Sequence, residues 1–84
     1  MDLGLAGATA VVTGGSKGMG LAIAEAFAAE GARVAVMARG AAALDAAEEK
    51  LRAAGAPDAV GISVDMADAA SIVDGFAVVA ERWG

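Results

Sequence analysis

The residues best suited to chemistry stand together in Val12-Thr13-Gly14-Gly15-Ser16-Lys17-Gly18-Met19-Gly20. This stretch follows a short apolar run and leads into a segment of helical periodicity. A strand that runs through a glycine-rich turn into a helix N-terminus makes an anion site. Backbone N–H groups point outward, the helix dipole adds partial positive charge, and the missing β-carbons let a diphosphate come close. Spacing narrows the choice. A P-loop reading fails, because Leu21 and Ala22 follow Gly20 where Lys and Ser or Thr would be required. The G-x-G-x-x-G fingerprint does not fit either. The pattern that does fit is T-G-x-x-x-G-x-G, carried by Thr13, Gly14, Gly18 and Gly20.

Composition removes most other chemistries. The 84 residues include no Cys, His or Tyr. There is therefore no disulfide, no thiolate nucleophile, no Ser-His-Asp arrangement, no imidazole metal ligand and no phenolic acid or base. The net charge of −5 argues against non-specific binding to nucleic acid. The longest uncharged run, Leu3 to Ser16, is too short to span a bilayer, and Asp2 stands where a signal peptide would carry Lys or Arg. The expectation is a cytoplasmic protein with no membrane and no nucleic-acid partner. The 58% of hydrophobic residues includes 25 Ala, which favour helix and close backbone approach but bury little surface each.

The elements that must position the loop follow a repeated grammar. Ala8–Thr13, Arg33–Ala38 and Ala59–Val64 are apolar runs of the length of buried parallel strands. Between and after them lie three segments of helical spacing. Leu21–Glu30 has Ile23 and Phe27 four apart, and Ala41–Ala54 has Leu44 and Leu51 seven apart. In Ala67–Arg82 and just beyond, Ile72, Phe76, Val79 and Trp83 form a stripe that reads as core. Gly31 and Gly55 stand where helix C-caps are expected, and Pro57 falls in the turn before the third strand. Gly75, inside the third helix, reads as a point of close packing against the sheet. Three strand–helix units predict an α/β fold with a parallel sheet.

In this order and spacing the residues resemble the N-terminal part of the short-chain dehydrogenase/reductase family. The glycine pattern carries the likeness, together with the lead-in Leu3–Val12, the second-strand ending Met37-Ala38-Arg39 and the pair Asp65-Met66 after Val64. The resemblance covers essentially the whole chain. It implies a Rossmann-like parallel sheet of three βα units, the first half of a doubly wound three-layer fold. It also implies a partial dinucleotide-binding domain over residues 1–84 that ends before a fourth strand. The whole enzyme, of about 250 residues as one domain, would move a hydride between a nicotinamide and an alcohol or ketone carbon. A 3-oxoacyl-carrier-protein-reductase-like or xenobiotic-ketone-reductase-like parent and a homo-oligomer are further expectations.

Position by position, the resemblance places Gly14, Gly18 and Gly20 around the pyrophosphate. The Ser16 and Met19 regions fall on ribose and phosphate, and Asp65, with the Met66 backbone, on the adenine. Family members that use NAD(H) usually carry an acid at the end of the second strand; here Ala38 and Arg39 stand there. A guanidinium matches a phosphate, and Lys17 could approach the same group, so NADP(H) is expected over NAD(H). Plainer readings stand beside these. Arg39 and Lys17 also suit solvated loop cations, Ser16 a turn residue, Asp65 a helix N-cap, and Met19 and Met37 packing. The family's catalytic Tyr-x-x-x-Lys cannot exist in a chain without Tyr, so no catalytic residue is assigned. A non-enzymatic nucleotide-binding module and a purely structural fragment are the alternatives. In the family's strand order the first strand is central, so here it would be an exposed edge, and the isolated chain is expected to be marginally stable or to self-associate.

Overall fold

The computed structural model describes residues 7–14, 18–65 and 67–83. Strands and helices alternate: β1 (Thr9–Thr13), α1 (Gly18–Ala29), β2 (Arg33–Ala38), α2 (Ala41–Ala54), β3 (Ala59–Ser63) and α3 (Ala69–Trp83). The sheet is parallel throughout in the order β1-β2-β3, with Thr13 opposite Met37 and Met37 opposite Ile62. This is the Rossmann-like arrangement expected from the repeated grammar.

The core has two halves because side chains alternate across a strand. Val34 and Val36 of β2 face one side and pack with Leu21, Ala24 and Ala28 of α1 and Leu44, Ala47 and Leu51 of α2. Ala35 and Met37 face the other side and pack with Ile62, Val64 and Val79 of α3. Helices therefore cover both faces. Four consecutive residues of β2, Val34–Met37, are fully buried, which explains their unbroken apolar run. The expectation of fully buried strands holds for β2 alone; β1 and β3 are partly exposed because each has only one strand neighbour among the described residues.

Two apolar spacings point the wrong way. Phe76 does not join the core with Ile72, Val79 and Trp83 but is 47% exposed. At 100° per residue the buried face of α3 is centred between Gly75 and Val79, and Phe76 lies at its margin. Gly75 sets that centre: a β-carbon there would stand 2.9 Å from Val64 Cγ2 and 3.2 Å from Met37 Cε, so the helix sits close to the sheet, as the sequence suggested. Likewise Ile23 is 45% exposed. The contact face of α1 is made by Leu21 and small alanines, and Ile23 lies some 200° around the helix from Leu21.

Both inner helices end as their glycines predicted. Ala32 N–H donates to the Phe27 carbonyl at 3.2 Å, and Ala56 N–H to the Leu51 carbonyl at 3.1 Å, each reaching five residues back just past a glycine. The outer side of β3 is covered by α2. Glu48 Oε2 accepts the Gly61 N–H at 2.7 Å, and Arg52 Nη2 donates to the Ala59 carbonyl at 2.7 Å, with Arg52 and Glu48 paired at 3.5 Å. These are outward-facing backbone groups, since the even-numbered neighbours Asp58 and Val64 bond to β2. Gly61 makes room for this: a β-carbon there would meet Leu44 Cβ at 2.8 Å.

Candidate functional site

The register brings the C-terminal ends of all three strands to one edge of the sheet. Hydrogen bonds tie them there. Gly14 N–H donates to the Met37 carbonyl at 2.7 Å, and Val64 N–H to the Ala38 carbonyl at 2.8 Å. Ser63 Oγ donates to the Arg39 carbonyl at 3.1 Å. Gly14, Arg39 and Asp65 thus follow three neighbouring strand ends, and the N-terminus of α1 begins at Gly18, four residues beyond Gly14. In open α/β sheets this end of the strands is where ligands bind.

Gly14 and Gly18 both adopt the left-handed conformation, φ +70° and +63°, in which a side chain is strained. Beyond its own chain neighbours, a β-carbon on either would meet no atom of the described residues within 4 Å. Packing therefore does not explain their smallness; the open space and the backbone angle do. The helix α1 has no acidic residue in its first turn to oppose an anion. A diphosphate cradle fits these features. Gly20 lies in the first turn of α1 and is partly buried. Met19 is 80% exposed beside it, so it does not pack as one plain reading had it, whereas Met37 is a fully buried core residue. Gly15, Ser16, Lys17 and Met66 lie outside the described residues.

Among the described residues, the charged groups of the site are Arg39 and Asp65. The Arg39 side chain is 78% exposed, and its Nη2 stands 3.8 Å from Asp65 Oδ2. Asp65 does not cap α3. Asp68 does so, its Oδ1 accepting the Ala70 N–H at 3.0 Å and its carbonyl accepting the Ile72 N–H at 3.2 Å. Asp65 closes the preceding turn instead: its Oδ1 accepts the Ala67 N–H at 3.0 Å, and its own N–H donates to Ser71 Oγ at 2.9 Å. The helix expected from Ala67 begins at Ala69, and the signal for that start is Asp68, an Asp just ahead of an apolar helical run.

Among the described residues there is no cluster of carboxylates able to hold a metal, and no helix is long and apolar enough to cross a membrane. The described part of the site offers glycine backbone, a helix N-terminus, one guanidinium and one carboxylate.

Residues 8–84 match the family model of the short chain dehydrogenases. Sorbitol dehydrogenase of Cereibacter sphaeroides is 42% identical over 83 residues, covering 95% of this chain and 30% of that protein. Galactitol 2-dehydrogenase (L-tagatose-forming) of the same organism is 51% identical over 65 residues, covering 77% of this chain and 24% of that protein. The crystal structure of L-sorbose reductase from Gluconobacter frateurii, complexed with NADPH and L-sorbose, superposes with a TM-score of 0.93 at 37% identity. It covers all of this chain and 32% of that one. The chain spans about a third of the length of the relatives it matches most fully. These relatives act on sugars and polyols by name, and none of the three is a 3-oxoacyl-carrier-protein reductase. The chain belongs to the short-chain dehydrogenase family.

Proposed function

We propose that this member of the short-chain dehydrogenases is the dinucleotide-binding portion of an NADP(H)-dependent oxidoreductase that interconverts an alcohol and a ketone. The bound nicotinamide would supply the hydride chemistry. The residues of this chain supply binding and orientation. Gly14 and Gly18 cradle the diphosphate against the N-terminus of α1, with Gly20 and the Met19 backbone beside them. Ser16 and Lys17 complete the loop toward ribose and phosphate. Asp65, with Met66, receives the adenine, and Arg39 meets the 2′-phosphate.

One observation carries the cofactor preference. The end of β2 presents Ala38 and an exposed Arg39 beside the glycine turn, and neither these two nor the following Gly40 is the acid that would accept a ribose 2′-hydroxyl from this strand end. The NADPH bound by the related L-sorbose reductase supports the same reading. The relatives' names favour a polyhydroxylated substrate, a polyol or its ketose. The carbonyl-activating acid and the substrate pocket would lie outside residues 1–84, because the family's Tyr-x-x-x-Lys has no counterpart in a chain without Tyr. The domain of residues 1–84 would then be the cofactor-binding third of a longer single-domain enzyme, active as a homo-oligomer in the cytoplasm.

Arg39→Ala tests the reading. In the protein expressed from its complete reading frame, NADPH affinity should fall at least tenfold while NADH affinity changes little, as expected for the loss of a charge-assisted phosphate contact. Equal effects on both dinucleotides would refute the 2′-phosphate role of Arg39.

A further inference from the structure

We propose that Asp65 sets how strongly the protein prefers a 2′-phosphorylated dinucleotide, acting through Arg39. This rests on the reading above that Arg39 meets the phosphate. The two residues are held very differently. The Arg39 backbone is fixed, since Ser63 Oγ donates to its carbonyl at 3.1 Å and the preceding Ala38 carbonyl accepts the Val64 N–H at 2.8 Å. Its side chain, by contrast, is 78% exposed. Asp65 is pinned on two sides. Its N–H is tied to Ser71 Oγ of α3 at 2.9 Å, and its Oδ1 is tied to the Ala67 N–H at 3.0 Å. What remains is Oδ2, and that oxygen faces Arg39 Nη2 at 3.8 Å.

A held carboxylate beside an exposed guanidinium partly neutralises it. At this length and exposure the pair adds little to stability. Its effect on an incoming dianion is different. A 2′-phosphate that takes the Arg39 guanidinium must share it with Asp65 Oδ2 or draw it away from that oxygen. A 2′-hydroxyl carries no charge and meets neither opposition. Asp65 therefore tempers the preference that Arg39 creates, in addition to any contact with the adenine. Removing its charge sharpens the preference; removing Arg39 makes the charge of Asp65 irrelevant to the choice.

The test is a double-mutant cycle on the protein expressed from its complete reading frame. NADPH and NADH dissociation constants are measured by calorimetric titration for wild type, Asp65→Asn, Arg39→Ala and the double variant. Asp65→Asn keeps an acceptor for the Ala67 N–H, and Asp65→Ser does so with a shorter side chain. Both should raise the ratio of NADH to NADPH dissociation constants about threefold, the scale of an exposed ion pair. In the Arg39→Ala background the same substitutions should change both constants alike. A ratio unchanged or lowered by Asp65→Asn and Asp65→Ser overturns the proposal, and leaves Asp65 an adenine contact only. An equal rise in both backgrounds also overturns it, because Asp65 would then act on the phosphate without Arg39. If Arg39→Ala itself leaves the ratio untouched, the phosphate reading fails first and this inference falls with it. If Arg39→Ala lowers the ratio and Asp65→Asn does not raise it, only this inference fails.

Discussion

Asp58 holds one end of the molecule together. Its carboxylate accepts from Arg82 Nε at 3.0 Å and Nη2 at 3.1 Å, and from Trp83 Nε1 at 2.8 Å. It also caps the start of β3 through the Ala59 N–H at 2.9 Å. Arg33 and Arg82 lie over the Trp83 ring at 5.7 and 6.0 Å from its centre. Bonds from Arg82 and Trp83 stabilise the ionised form and outweigh desolvation, so the carboxyl falls from 3.8 to about 2. A carboxyl that is more acidic folded than unfolded adds stability above the unfolded value and loses it as the pH falls from about 4 toward 2. Asp58→Asn should lower the melting temperature at pH 7, and its deficit relative to wild type should shrink toward pH 2. Thermal unfolding followed by circular dichroism across that range checks this; a deficit independent of pH would exclude the ionised contact. Nothing in the sequence marked Asp58, because its partners are 24 and 25 residues away. Trp83 looked like core, and the ring does pack there, but its N–H belongs to this carboxylate. The glycine turn was legible at the same scale because its demands are local: a left-handed backbone angle at Gly14 and Gly18 is a property of single residues.

At the level of elements, the strands and helices were readable because each short-range signal agreed with the fold. Arg33–Ala38 and Ala41–Ala54 have the expected bounds. The first helix begins three residues earlier than its apolar periodicity, at Gly18. The opening N–H groups of a helix have no intrahelical partner, so glycines are tolerated there while still serving the turn. What the spacing did not reveal was which side of a helix faces inward, since Ile23 and Phe76 have helical spacing but one lies on the far side of α1 and the other at the margin of the buried face of α3. That choice is made by the small residues, Ala24 and Ala28 in α1 and Gly75 in α3, which let the backbone approach the sheet. Two glycines should respond differently to a methyl group. At Gly61 the added carbon meets Leu44 Cβ at 2.8 Å and the Leu44 carbonyl oxygen at 3.2 Å, atoms that move only with α2 itself. Gly61→Ala should cost about 1–3 kcal/mol, the scale of overpacking. At Gly75 the added carbon meets side chains alone, Val64 Cγ2 at 2.9 Å and the flexible end of Met37 at 3.2 Å, and Ala gains helix propensity of up to about 1 kcal/mol over Gly, which offsets part of the strain. Gly75→Ala should therefore cost less than Gly61→Ala. Urea denaturation of both variants checks the contrast, and equal losses would contradict the packing assigned to Gly61.

Across the whole molecule, the two sides of the sheet are unlike. On β3 the outward Ala59 carbonyl and Gly61 N–H are occupied by Arg52 and Glu48 of α2. On β1 the groups of Ala8 and Gly14 bond toward β2, which turns those of Thr9, Val11 and Thr13 away from it, and no other strand meets them among the described residues. An open apolar strand edge invites pairing with another strand. The 84-residue chain should therefore self-associate through β1, and Thr9→Lys, which puts a charge on that edge, should reduce the association. Glu48→Ala with Arg52→Ala should add a second mode of association through β3. Sedimentation velocity over a concentration series reads both; a monomer at all concentrations, with or without these changes, would refute the assignment. A sheet closed on one side and open on the other has a direction of growth. Polypeptide joined beside β1 can extend its hydrogen-bond ladder, whereas polypeptide brought to β3 must first evict two side chains. Sheet extension, whether by design or by accident, is steered to the glycine-turn strand, which becomes an inner strand of whatever larger sheet is built.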